Sequence, residues 1–115
     1  MTTEAAEAQI HETKITVERS IKIGDDIKGA SEPPQTIEVH KFATTPAIAK
    51  AQVAFRKSKQ AYDGLWVAGE ITIGCEKPCY SEELPAATEA AYEAVKARIL
   101  QEVPELLKSI DALGQ

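Results

Sequence analysis

The sequence predicts an α+β domain in which a small twisted sheet packs one face on two helices, in the order β-β-α-β-α. Two segments, 14–24 and 65–74, alternate apolar and polar residues as half-buried strands do. In two others, 46–63 and 81–113, apolar residues recur every three or four positions, as in amphipathic helices. A shorter alternating segment, 37–42, supplies the remaining strand.

The length of 115 residues fits one domain. We expect the polar residues 1–13 to form a flexible N-terminal lead and residues 14–115 to form a single α+β domain. The core is thin, because 18 residues are Ala and only 25 are Ile, Leu, Val or Phe. A small domain with a thin core often gains stability by burying a second subunit, so we expect a homo-oligomer.

The first strand places Ile15, Val17, Ile21 and Ile23 on one face and ends at Gly24. Residues 25–36 contain Gly29 and the Pro33-Pro34 pair, and are therefore predicted to form a loop. The next strand follows at 37–42.

The first helix is predicted over Pro46–Asp63. Thr45 can cap its N-terminus, Pro46 suits the first helical position, and Gly64 suits the left-handed residue after the C-terminus. The third strand runs from Leu65 to Gly74, and 75–80 is predicted to be a turn.

The second helix begins at Ser81 and carries an apolar stripe to Leu113. Pro104 lies inside it, so we expect a kink near residues 100–103 or a restart at Pro104.

The first and third predicted strands share an ITVERSIKIG/LWVAGEITIG pattern, which suggests that they belong to one sheet. Arg19 and Gly69 interrupt their apolar rows. Antiparallel pairing with the Arg side chain over the glycine would explain both residues. Alternatively, Arg19 marks a bulge or a strand end where its guanidinium reaches water.

Cys75 and Cys79 are the most conspicuous candidates for chemistry. Their spacing matches neither the thioredoxin motif nor a closed zinc site, and His11 and His40 lie far away in the sequence. Motifs for nucleophilic, acid/base or phosphate-loop chemistry are absent, and Glu89 and Glu93 fit a solvated helix face. We therefore expect no enzymatic activity, no metal and no cofactor.

Charge is distributed unevenly. The net charge is −5, composed of −2 over residues 1–30, +1 over 31–80 and −4 over 81–115. The basic residues gather beside aromatic ones in the middle of the chain, as in proteins that bind single strands. Because Phe55 and Tyr62 fall on the predicted buried stripe, the candidate nucleic-acid-binding residues are Lys50, Arg56, Lys57, Lys59 and Trp66.

Trp66 is the aromatic residue in this set. Strand alternation places it on the face opposite the aliphatic row, where it could contact a base, a protein or a second copy. The alternative is that a helix or the N-terminal lead covers it.

The strands at 14–24 and 65–74, the Pro-containing segment 75–80 and the acidic helix 81–107 together resemble a class of small bacteriophage proteins. That resemblance implies an accessory protein that acts on DNA or on host machinery. The leading hypothesis is a non-enzymatic oligomeric module that binds single-stranded nucleic acid. The rival is a protein-binding accessory factor, such as an inhibitor of a host enzyme or defence system, that uses an acidic surface. With no signal peptide or long apolar run, we expect a soluble cytoplasmic protein without membrane partners.

Overall fold

The computed structural model describes residues 9–61 and 63–113, which form five antiparallel strands followed by one long helix. The elements are β1 (Gln9–Ile23), β2 (Asp26–Ser31), β3 (Gln35–Phe42), β4 (Ala47–Gln60), β5 (Trp66–Cys79), a 3₁₀ turn (Ser81–Glu83) and α1 (Leu84–Leu113).

The strand order is β2-β1-β5-β4, and β3 also pairs with β1. β5 pairs with residues 14–23 of β1, whereas β2 pairs with 18–23 and β3 with 9–15. β2 and β3 therefore follow one another along the edge of β1 that is opposite β5. Residues 32–34, Glu-Pro-Pro, separate them. Because Pro has no N–H to donate, it suits a break of this kind at a sheet edge.

The predicted arrangement of two helices on a sheet is wrong, because 46–63 contains strand β4 in place of a helix. The segment has two periodicities: the odd residues from Ala47 to Phe55 are all apolar, which also fits a strand. The alanines of this segment and the capping residue Thr45 favour a helix, but this preference is local and weak. Ladder pairing with β5 along all 14 residues of β4 is the tertiary interaction that decides the outcome.

Gly64 does adopt the left-handed conformation, with φ +86°, but it does so in the β4–β5 turn and not after a helix. In that turn the N–H of Ala61 donates to the carbonyl of Leu65 at 2.7 Å. The glycine signal therefore indicated the correct local backbone in the wrong element.

Three other boundaries differ from the predictions. Strand β2 occupies half of the predicted loop 25–36, β5 continues through the predicted turn to Cys79, and α1 continues through Pro104 without a restart. Residues 9–13 of the predicted lead lie in β1, whereas residues 1–8 fall outside the described residues, so the lead itself stays a prediction. The strands at 14–24, 37–42 and 65–74 and the long C-terminal helix are confirmed.

Helix α1 covers one face of the sheet. It packs over β4 and β5, and its buried residues recur at three- and four-residue spacing. Beneath it lie the odd-numbered residues of β1 and β5. The main core comprises Ile15, Val17, Val67, Ile71, Ile73, Cys75, Ala91, Val95, Ile99, Leu106 and Ile110.

Candidate nucleic-acid interface

The face of the sheet opposite α1, called here the open face, carries the even-numbered residues of the three long strands. These are residues 14–22 of β1, 66–76 of β5 and 48–60 of β4, as the alternating burial of each strand shows. Among the described residues no element covers this face. One polar, solvated face is usual for an antiparallel sheet.

Trp66 lies at one end of the open face and is 56% exposed. Its neighbours across the strands are small or flexible: Gln60 of β4 pairs with it, and Lys22 and Ser58 pair with Ala68. A shallow depression of about 400 Å³ lies here, lined by Lys22, Gly24, Asp25, Arg56, Ser58, Gly64, Leu65, Trp66 and Ala68. The indole therefore borders an accessible depression whose lining carries two basic residues, Lys22 and Arg56, and one acidic residue, Asp25.

Lys22 and Arg56 lie on opposite sides of β5, on β1 and β4 respectively. Neither forms an ion pair within residues 9–61 and 63–113. Arg56 is the cross-strand partner of Glu70. Two strand spacings of about 4.8 Å and an offset of two residues along the strands separate the two backbones, which therefore lie about 12 Å apart.

Charge segregates between the two layers. Along the middle strands, the open face holds the bases Lys14, Lys22, Lys50 and Arg56 and the acids Glu18, Glu70 and Glu76. The segment that contains α1, residues 81–115, carries −4. An acidic chain can therefore present a face that does not repel a polyanion.

The five residues predicted as a site do not share one surface. Arg56 and Trp66 lie close together, whereas Lys50 is six positions along β4, about 20 Å away, with Nζ 4.0 Å from Oε2 of Glu76. Lys57 and Lys59 project on the helix side. Lys57 pairs with the backbone of Gly69, and Nζ of Lys59 lies 3.4 Å from Oδ1 of Asp111.

Lys22 was not among the candidate residues, although the sequence carries a signal for it. It alternates with Ile21 and Ile23, which places it on the polar face of β1. The shared pattern of the first and third predicted strands also indicates that β1 and β5 belong to one sheet. Together these two observations place Lys22 on the face of Trp66, and the structure pairs Lys22 with Ala68.

Among the described residues, Arg19 forms the shortest ion pair, and it lies on the other face of the sheet. Its Nη2 donates to Oε2 of Glu102 at 2.6 Å, and its Nη1 donates to Oε2 of Glu32 at 2.8 Å. The bond to Glu102 raises the pKa of the Arg19 guanidinium. β1 and β5 do pair antiparallel, but Arg19 stands opposite Ile71 and does not cover Gly69. Arg19 therefore links the connection 32–34, through Glu32, to α1, through Glu102. We assign these ion pairs a role in stability and not in ligand binding.

The cysteines and histidines lie on the helix side of the sheet. His11 and His40 are cross-strand partners, and Nε2 of His40 lies 2.8 Å from Oγ1 of the buried Thr13. Cys75 and Cys79 are buried and free. They are four positions apart on one strand, about 13 Å, which is too far for a disulfide. In the described part of the chain no group of three His, Cys, Asp or Glu side chains could hold a metal.

No protein-family model, curated protein or solved structure shows significant similarity to this chain. Within the described residues, the helix lacks the uninterrupted apolar length that crossing a bilayer requires.

Proposed function

We propose that this chain is a non-enzymatic module that binds single-stranded nucleic acid on the open face, at the end that carries Trp66. The observation that carries the proposal is an indole 56% exposed beside two cations that have no ion-pair partner among the described residues. Exposed aromatic rings and cations are the two components with which proteins hold single strands without reading sequence.

The ligand would use the depression in a simple way. A base stacks on the indole of Trp66, and the phosphates on either side of it reach Lys22 and Arg56. Ala68, the cross-strand partner of Lys22, has a small side chain that leaves room for the strand to approach the sheet. Every base offers a face for stacking, so the binding would have little sequence preference.

The proposed site has only two basic residues that would contact phosphates, so its affinity for nucleic acid should depend only weakly on salt concentration. Two phosphate contacts predict that the logarithm of the affinity falls with the logarithm of salt with a slope of about −1.4. A larger basic surface would give a steeper slope. The module would act in the cytoplasm as an accessory protein of the phage type, holding single strands without modifying them.

The test is a titration of a labelled oligothymidylate of about 15 nucleotides, followed by anisotropy at about 50 and 200 mM salt. Because Trp66 is the only tryptophan, its own emission reports occupancy of the site in wild type. Trp66→Ala should weaken binding by about 1–3 kcal/mol, or roughly 5- to 150-fold, without loss of the fold.

Arg56 and Lys57 form a matched pair of variants, since they are neighbours that project on opposite faces of β4. Arg56→Glu should weaken binding and flatten the salt slope. Lys57→Glu changes the net charge by the same amount and should leave affinity near that of wild type. Equal losses in the two variants, or no binding of wild type at low salt, would refute the proposed site.

A second function is favoured by the outer surface of α1, where acidic residues surround exposed apolar ones. Glu89 and Glu93 flank Tyr92, which is 47% exposed, and Leu100 is 65% exposed. Such a surface suits a basic protein partner, as an inhibitor that mimics nucleic acid would require. The same titration separates the two functions, because this alternative expects no oligonucleotide binding at either salt concentration. In that case Glu89→Lys with Glu93→Lys should abolish retention on a polylysine matrix.

A further inference from the structure

We propose that a second copy of this chain pairs antiparallel with the free edge of β4 and joins two sheets into one. β4 has 14 residues and pairs with β5 along its whole length without a register shift. Among the described residues, no strand pairs with its other edge. A free edge presents unpaired N–H and C=O groups that another strand can use. This inference does not depend on nucleic-acid binding.

The two edges of the sheet differ in how they are protected. The edge formed by β2 and β3 is interrupted at Pro33-Pro34, its pairing with β1 has a register irregularity, and the short strand β2 carries Asp26 and Lys28. Short strands, prolines, bulges and charges are features that prevent edge pairing. β4 contains neither Pro nor Gly, and residues 47–55 hold one charge, Lys50. Within the described strands, β4 is therefore the less protected edge.

A two-fold dimer requires a strand that is complementary to itself. Antiparallel pairing centred on Gln52 places that residue opposite its own copy, where two amides can exchange hydrogen bonds. It also places Lys50 opposite Ala54 and Arg56 opposite Ile48. Centring the pairing one residue later would set Lys50 against Arg56 on both sides of the axis, which like-charge repulsion disfavours.

On the face of β4 that is turned toward α1, the same register places a large side chain opposite a small one at each pair. Phe55 lies opposite Ala49, and Val53 lies opposite Ala51. Because α1 packs over both β4 and β5, its axis lies about half a strand spacing from β4, and the two helices would stand about two strand spacings, or roughly 10 Å, apart. That is close to the 8–10 Å of packed helices, so the two copies of α1 would lie side by side above the paired strands without overlap.

The interface would be narrow. Residues 47–57 pair in this register, fewer on each side than the roughly 20–30 of a standard interface. The dimer should therefore form in a concentration-dependent way. Its sheet would run β2-β1-β5-β4 and then continue through the partner in reverse order. The two copies of Trp66 would lie at opposite ends, far from the axis.

Sedimentation velocity over a range of protein concentrations tests the dimer directly, without any ligand. Wild type should shift from monomer to dimer as concentration rises. Gln52→Lys, which sets two lysines opposite each other at the axis, should keep the chain monomeric. Thr72→Lys adds the same charge on the same face of the central strand β5 and should leave the dimer intact. A wild type that stays monomeric, or a Gln52→Lys variant that dimerises as wild type does, would overturn the proposal.

Cysteine cross-linking tests the register. Gln52→Cys places two thiols opposite one another at the axis, within disulfide distance. Ser58→Cys lies on the same face of the same strand but faces residue 46 of the partner, so its thiols stay apart. We expect a covalent dimer from Gln52→Cys and none from Ser58→Cys or wild type, whose native cysteines are buried. Cross-linking of both variants, or of neither, contradicts the pairing centred on Gln52.

Discussion

Nη2 of Arg19 on β1 lies 2.6 Å from Oε2 of Glu102 on α1, and this ion pair joins the helix to β1 at the margin of the apolar core. Arg98 of the same helix donates to Oε1 of Glu102 at 3.1 Å. Glu102 is thus held from two sides. Its burial disfavours the charged form, but the two arginines outweigh burial and lower the pKa of its carboxyl group.

The lowered pKa of Glu102 predicts how stability depends on pH. A group whose folded pKa lies below its unfolded value, about 4.3 for glutamate, stabilises the fold above that pH. The contribution is lost as pH falls through the folded pKa. Glu102→Gln should cost about 1–2 kcal/mol at neutral pH, a value reduced for the partial exposure of Arg19, and should make urea unfolding less sensitive to acid. The prediction would be contradicted if the urea midpoint of Glu102→Gln fell between pH 7 and pH 3 by as much as the midpoint of wild type.

Gly69 is required by the close approach of α1. A Cβ built there would lie 2.8 Å from Cδ1 of Leu106 and 2.9 Å from Cδ1 of Ile110. Gly69→Ala should therefore destabilise by about 1–3 kcal/mol in chemical denaturation. Gly29→Ala is the control, because its Cβ would meet only the carbonyl oxygen of Arg19 at 3.7 Å. Equal stability of the two variants would show that the helix does not pack as closely as described.

The cysteines predict a second contrast. The sequence predicts a turn at 75–80, but Cys75 lies in β5 and is 1% exposed in the core beneath α1. Burial raises the pKa of its thiol. Cys75→Ser should lower the free energy of unfolding by about 1–3 kcal/mol because it buries a hydroxyl group. Cys75→Ala removes the sulfur atom without adding a polar group, so its loss of stability measures the contribution of packing alone. In wild type, thiol reagents should react slowly until the protein is unfolded; rapid labelling of Cys75 in the native protein would contradict its burial.

Ile99 and Leu100 test which side of the helix faces the sheet. Ile99 is 7% exposed, whereas Leu100 is 65% exposed. Ile99→Asp buries a charge in the core and should unfold the chain, which circular dichroism would detect. Leu100→Asp should change the free energy of unfolding by no more than about 0.5 kcal/mol. A folded Ile99→Asp variant would place the core on another face of α1.

Local pattern was sufficient for several elements. The alternation of Ile15 to Ile23 and of Val67 to Ile73 follows from one-sided burial, which a sequence records directly. The same holds for the stripe of α1, and the exposure of Trp66 follows from its place in the alternation. These predictions depend only on the burial of one face of each element, which the spacing of apolar residues records.

Segment 47–60 shows where local pattern is insufficient. Its alanines suit a helix, and its odd residues suit a strand, so the two readings compete within the same residues. The 14-residue pairing with β5 resolves the competition, but β5 lies beyond a turn and leaves no mark on the local periodicity of β4. The five-residue candidate site divided for the same reason. In a strand, Arg56 and Lys57 point to opposite faces, whereas consecutive residues of a helix lie about 100° apart and can share one exposed arc.

By itself, the sequence determined the buried faces of the strands at 14–24 and 65–74 and of the C-terminal helix, the left-handed conformation of Gly64, and that Trp66 faces away from the aliphatic row. Only the tertiary structure decided that 47–60 is a strand, that Lys22 joins Arg56 beside Trp66, and that Arg19 reaches Glu102 across 83 positions. The physical reason is that burial on one face repeats along the chain at short range. Ladder hydrogen bonds and ion pairs join residues whose separation in sequence carries no periodic signal.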